Sequence, residues 1–199
     1  MYATYFRWRV FHPERVPEIG AVILACNHAS ILDPPLVGCG LKRECTFLAR
    51  ETLFRFPPIR WVLTKWQAVP IDREGSSVSG MKRIVAALGN GRAVILFPEG
   101  TRTHDGKLQS VRHGVGLIVV KSGTPVVPVR VWGTFEAYGR TVKVPKPKRV
   151  TVKYGQPMPF TELREEAKAC SKERLKEIYQ EIANQIMAAI GRLEPKRDE

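Results

Sequence analysis

The longest uninterrupted apolar runs, such as AVILAC and GLIVV, fall far short of the roughly 18 residues a membrane-spanning helix needs. The sequence is therefore not expected to cross a bilayer. Cysteine is scarce, and Cys26, Cys39, Cys45 and Cys170 follow no paired framework. The first residues lack the charged, apolar, small-residue succession of a secretory signal. Together these features predict a reducing, cytoplasmic setting. Cys26 and His28 could face the same way at a strand end, but Cys39 and Cys45 do not complete a zinc spacing, so no metal site is expected. Acidic residues are also few: 19 Asp and Glu stand against 32 Lys and Arg, a formal charge of +13. That excess favours an anionic partner, whether nucleic acid, a phosphorylated substrate or an acidic membrane surface.

What is present is ordinary globular usage, 44% apolar and 26% charged, over 199 residues that one hydrophobic core can serve. A single domain spanning 1–199 is expected, with a long amphipathic helix over about 171–191 and a frayed tail at 194–199. Short apolar runs (AVILAC, CTFLA, WQAVPI, AVILF, PVVPVRVWG, RVTVKYG) read as strands, and YFRWRVFH alternates as a further one. PPLVGCGL, SSVSGMKRIVAALGNGR and GVGLIVVKSG read as helices between them. ETLFRFPPIRWVLTKW reads as two short amphipathic pieces around a Pro57-Pro58 break. Strands alternating with helices predict an α/β fold with a mostly parallel mixed sheet covered by helices, in which ligand sites gather beyond the strand ends. The basic residues of 139–154, among them Arg140, Lys143 and Lys153, meet no acidic residue and read most simply as a solvated basic hairpin.

Two stretches carry chemistry. In ACNHASILDPP, His28 and Asp33 are five residues apart. A continuous helix would set them about 140° from each other, so the chain must bend if they are to meet. Asp33 before Pro34 has the pattern of a helix N-cap with proline at the first helical position. A turn there could also bring its carboxylate to one imidazole nitrogen and leave the other free as a general base. The competing reading is a histidine satisfied at the core edge beside an aspartate that only caps. In VILFPEGTRTHDGKL, Glu99, Gly100, Thr101 and Arg102 directly follow a buried strand, where a loop can offer amides and an arginine fork to a phosphate. A Glu to Arg pair holding a tight turn is the plainer alternative. Cys26 offers a rival mechanism as a thiol nucleophile activated by His28. His104 and His113 read as solvated loop residues.

NHASILD resembles the N-H-x4-D motif of the glycerophospholipid acyltransferase family, and FPEGTRT resembles its second hallmark, 71 residues on from His28 to Glu99. AVPIDRE is similar to the intervening arginine motif and TPVVPVRVWG to the fourth, across a motif-bearing core of about 6–154. Within the family the chain looks most like the 1-acylglycerol-3-phosphate acyltransferases. The hydrophobic N-terminal helices of many relatives are missing, and QSVRHG replaces their aromatic-basic segment.

The resemblance implies a glycerolipid acyltransferase-like fold, and an enzyme that moves a fatty acyl group from acyl-CoA or acyl-carrier protein to a lysophospholipid hydroxyl, with 1-acyl-sn-glycerol 3-phosphate as the expected acceptor. Glycerol 3-phosphate or another lysolipid, or a non-catalytic basic membrane-binding module, are the alternatives. His28 would be the base and Asp33 its orienter. Arg73 and Arg102 would hold the acceptor phosphate, Glu99 and Gly100 would line the glycerol site beside Thr101, and Pro128 would shape the substrate channel. No cofactor, metal or nucleic acid is implied. Peripheral contact with an anionic membrane on its cytoplasmic side is expected, through the aromatic and basic segment Leu53 to Trp66, with Phe54, Trp61 and Trp66 as its aromatic contacts.

Overall fold

The computed structural model describes residues 5–71 and 78–198. Seven strands form one sheet: β1 (Arg9–Phe11), β2 (Val22–Cys26), β3 (Cys45–Arg50), β4 (Ala68–Ile71), β5 (Ala93–Leu96), β6 (Val126–Trp132) and β7 (Thr151–Tyr154). Their spatial order is β1-β7-β6-β2-β5-β3-β4, parallel from β6 through to β4, with β7 antiparallel to β6 and β1 parallel to β7. The expected α/β architecture is the one found. β2 lies at the centre, and all five of its residues are buried.

Alternation along β2 sorts its side chains onto two faces. Val22, Leu24 and Cys26 join Leu36 and Val37 of helix α1 (Asp33–Cys39), Phe47, Val129 and Tyr154 in one core. Ile23 and Ala25 join the other, built with the helices α3 (Val78–Gly89), α4 (Gly114–Ser122) and α7 (Lys172–Arg192). In α7, Ile178, Ile182, Ile186 and Ile190 recur every four residues, and all four are fully buried. Each contributes about 1.5–3 kcal/mol of hydrophobic stabilisation. The helix starts where Ser171 accepts a hydrogen bond from the Arg174 amide at 3.2 Å. Gly116 lets α4 seat against it, because a Cβ there would fall 2.0 Å from the Tyr179 carbonyl oxygen.

Several boundaries differ from the sequence expectation. β1 covers only the end of YFRWRVFH. Two short helices, α5 (Thr134–Tyr138) and α6 (Thr161–Glu166), have too few residues to display a period. The basic stretch is no hairpin, since β7 pairs with β6 and β1, and Lys153 is 2% exposed. Its ammonium donates to the Lys196 carbonyl at 2.8 Å and to Asp198, whose carboxylate also accepts from Arg15 at 2.7 Å. These two cations hold the Asp198 carboxyl down to about 2. The tail is therefore anchored as far as Asp198 rather than frayed, because a buried ammonium needs a counter-charge.

ETLFRFPPIRWVLTKW divides as expected into a 3₁₀ turn (Glu51–Arg55) and helix α2 (Pro57–Lys65). Of its aromatics, Phe54 and Trp66 pack against the core, whereas Phe56 and Trp61 are 60% and 66% exposed. The expectation that Phe54 and Trp66 face outward is thus corrected.

Candidate active site

The C-terminal ends of β2, β3 and β5 lie along one edge of the sheet, and the candidate residues follow from them. β2 stops at Cys26 because the next residue closes its ladder with a side chain. The Asn27 amide donates to the Val131 carbonyl at 3.0 Å and accepts from the Val131 N–H at 2.8 Å, standing in for a peptide group. Sequence reasoning gave Asn27 no role of its own, although its place directly before His28 was a signal. The chain then turns, so that His28 stands at the edge with its side chain 18% exposed.

Asp33 is fully buried and gathers that turn around one oxygen. Its Oδ2 accepts from the Ala29 and Ser30 amides, each at 2.7 Å, and from His28 Nδ1 at 2.9 Å. Helix α1 has Leu32 at its N-cap without a side-chain cap bond, and Asp33 is its first residue. The carboxylate therefore points back into the turn instead of capping the helix, which corrects the capping expectation and decides between the two readings of the motif. Ser30 supports the turn: its hydroxyl donates to the Tyr138 carbonyl at 2.7 Å and accepts from the Leu32 amide at 3.1 Å. With Nδ1 donating to Asp33, the His28 tautomer presents a lone pair at Nε2. Phe97 stacks on the imidazole at 3.9 Å between ring centroids and 20° between planes.

The second stretch lies beside the first because β5 is the neighbour of β2. The Thr103 amide donates to the His28 carbonyl at 2.8 Å, and the His28 amide to Glu99 Oε1 at 3.3 Å. Glu99 is 3% exposed, and its Oε2 has no hydrogen-bond partner. Burial pushes its carboxyl up to about 7; the His28 and Gln109 amides oppose that rise, and Asp33 adds to it. Gly100 adopts a left-handed φ of +70°, and a Cβ there would lie 2.9 Å from the Arg112 side chain. The Thr101 hydroxyl accepts from Arg140. Arg102 is half-buried; burial, then Arg140 and Arg50, push its guanidinium below the ordinary value.

A His–Asp couple with a free Nε2, set beside a buried glutamate and an arginine, is the equipment of base-assisted transfer to an alcohol. The chain matches the Acyltransferase family over residues 7–132. It belongs to that family. It is 34% identical over 114 residues to a chloroplastic 1-acyl-sn-glycerol-3-phosphate acyltransferase of Brassica napus, covering 56% of this chain and 33% of that protein. The 1-acyl-sn-glycerol-3-phosphate acyltransferase of Bacillus subtilis is 30% identical over 126 residues, 63% of this chain and 62% of the relative. The crystal structure of the 1-acyl-sn-glycerophosphate acyltransferase of Thermotoga maritima superposes with a TM-score of 0.70 at 28% identity, over 95% of this chain and 74% of that one. The chain thus spans between about a third and two thirds of these curated relatives.

Within this acyltransferase domain, the expected site residues divide. His28, Asp33, Glu99, Gly100, Thr101 and Arg102 come together at one edge. Arg73 lies outside the described residues. Pro128 is buried in the middle of β6, opposite Ala25, with its ring against Gly155. That position builds the sheet. Cys26 is fully buried, and burial, then Asp33 and Glu99, hold its thiol well above the ordinary range. A thiolate nucleophile is disfavoured on both counts. His104 and His113 are exposed, in a turn and at the start of α4.

Proposed function

We propose that the protein transfers a fatty acyl group from acyl-CoA or acyl-carrier protein to the free hydroxyl of 1-acyl-sn-glycerol 3-phosphate, giving phosphatidic acid. The observation that carries this reading is the His28 Nδ1–Asp33 bond of 2.9 Å, which leaves Nε2 available on the same edge as Arg102. His28 Nε2 takes the proton of the acceptor hydroxyl as that oxygen attacks the thioester carbonyl. The tetrahedral adduct then collapses by expelling the thiolate, which recovers the proton from His28. Asp33 keeps the imidazole in the reactive tautomer and supports its positive charge during the step. The thioester is already activated, so the reaction as written passes through no acyl-enzyme and calls on no metal or bound cofactor. Arg102, with Arg73, is assigned to the acceptor phosphate, and Glu99 and Gly100 to the glycerol.

No helix among the described residues is long and apolar enough to cross a membrane. The reading includes peripheral attachment to the cytoplasmic face of an anionic membrane. It is supported by the exposed Leu53, Phe56 and Trp61 alongside Arg55, Arg60 and Lys65, on a segment that starts where β3 ends at the site edge.

The test is product analysis by mass spectrometry after incubation with 1-acylglycerol 3-phosphate and each thioester. Wild-type protein should form phosphatidate. His28→Ala should lose about 10²–10⁴-fold in rate while keeping its circular dichroism spectrum. Near-normal turnover in His28→Ala, or no product from the wild type, would refute the reading.

A further inference from the structure

Arg102, in the loop after β5, is met at the site edge by Arg140 from just beyond α5, and Arg50 at the end of β3 lies within electrostatic reach of it, the three coming from segments far apart in sequence. The Arg140 side chain is fixed rather than trailing in solvent. Its Nε donates to the Arg102 carbonyl at 3.1 Å, and its Nη2 donates to the Thr101 hydroxyl. A guanidinium carries five N–H donors. These two bonds occupy one side of the fork and leave the Nη1 and Nη2 end free.

Among the described residues, none of the three arginines forms an ion pair with a carboxylate. Other arginines of the chain find carboxylates, Arg174 at Glu166, Glu177 and Glu181 and Arg15 at Asp198, or spend their donors on backbone carbonyls, as Arg43 and Arg130 do. Gathering like charges without a counter-ion is unfavourable, and Arg140 and Arg50 add to burial, the larger cause, in pushing the Arg102 guanidinium below its ordinary value. Such a cluster is held together by the fold until a multiply charged anion satisfies it, and the end-on guanidinium fork matches two oxygens of a phosphate.

We infer that Arg140 is a substrate-binding residue, taking phosphate oxygens together with Arg102 and Arg50, and that it selects acceptors bearing a phosphate monoester. The inference rests on the acyl-transfer reading and adds a ligand from outside the two motif stretches. The same chemistry could serve the phosphates of an acyl-CoA donor, so the experiment varies both substrates.

Arg140→Gln and Arg140→Lys are compared with wild type, using 1-acylglycerol 3-phosphate and 1-acylglycerol as acceptors and acyl-CoA as donor. Arg140→Gln should raise the KM for the phosphate-bearing acceptor about 10–100-fold, with kcat changed less. Its KM for acyl-CoA and its use of 1-acylglycerol should stay as in wild type. Arg140→Lys, which keeps the charge but loses the fork, should fall between. Equal losses on both acceptors would mean that Arg140 only braces the loop, and a rise confined to the KM for acyl-CoA would assign the cluster to the donor; either overturns the inference.

Calorimetric titration with glycerol 3-phosphate tests the site without turnover. Wild type should bind at least tenfold more tightly than Arg140→Gln. Equal affinity, or no binding by wild type, overturns the inference whatever the acyl-transfer assay gives. A wild type that binds glycerol 3-phosphate through Arg140 yet transfers no acyl group would instead count against the reaction alone.

Discussion

Glu99→Gln isolates the cost of keeping a carboxylate in the floor of the site. Glu99 is 3% exposed, its Oε2 has no partner, and burial raises its carboxyl from an ordinary value of 4.5 to about 7. The sign follows from proton counts. Between those two values the folded chain holds a proton that the unfolded chain has released, so stability falls as pH rises through this window. The contribution is fully present below about 4.5 and lost above about 7. At about 1.4 kcal/mol per pH unit, the full effect is about 3 kcal/mol, most of which develops between pH 5 and pH 8. Glutamine has nearly the same shape, and its carbonyl can still accept from the His28 amide, but it does not titrate. Its NH₂ group replaces the unpartnered oxygen at a cost independent of pH, so the absolute stability of the variant is not the informative quantity. The difference between the two proteins is. Urea unfolding at intervals from pH 5 to pH 8 should show Glu99→Gln gaining about 2–3 kcal/mol relative to wild type over that range. Parallel curves, or a gain in the opposite direction, would refute the assignment of a raised, desolvated carboxyl to this position.

Cys26→Ala should retain transfer activity, because the thiol is sealed in the core and held protonated by its surroundings; an acyl adduct on Cys26 in intact-mass spectra would contradict this. Phe56→Ser with Trp61→Ser should weaken sedimentation with anionic vesicles without unfolding the protein, since both side chains are exposed. Binding should also fall as salt shortens the screening length to about 8 Å at physiological ionic strength and further beyond it. Vesicle binding that survives both the double substitution and high salt would refute the role of this surface.

Local pattern alone settles much of this protein. Burial on both faces makes β2 and β5 continuous apolar runs, and the four-residue recurrence of isoleucine in α7 writes that helix and its inward face directly into the chain. His28, Asp33 and the Glu99 to Arg102 loop are legible for the same reason: each is a short stretch tied to the end of a recognisable strand. The distance from His28 to Asp33 in sequence did not decide what Asp33 does. A carboxylate before a proline can cap a helix or turn back, and only the folded turn, with two amides and an imidazole converging on Oδ2, selects the second. The meeting of residues 71 positions apart at the His28 amide depends on β5 lying next to β2, a property of strand order that no window of sequence contains. Arg140 beside Arg102, and Asp198 beside Lys153, are of the same kind. Their side chains obey no local period, because what fixes them is charge and hydrogen-bond balance between segments that only tertiary packing brings into contact.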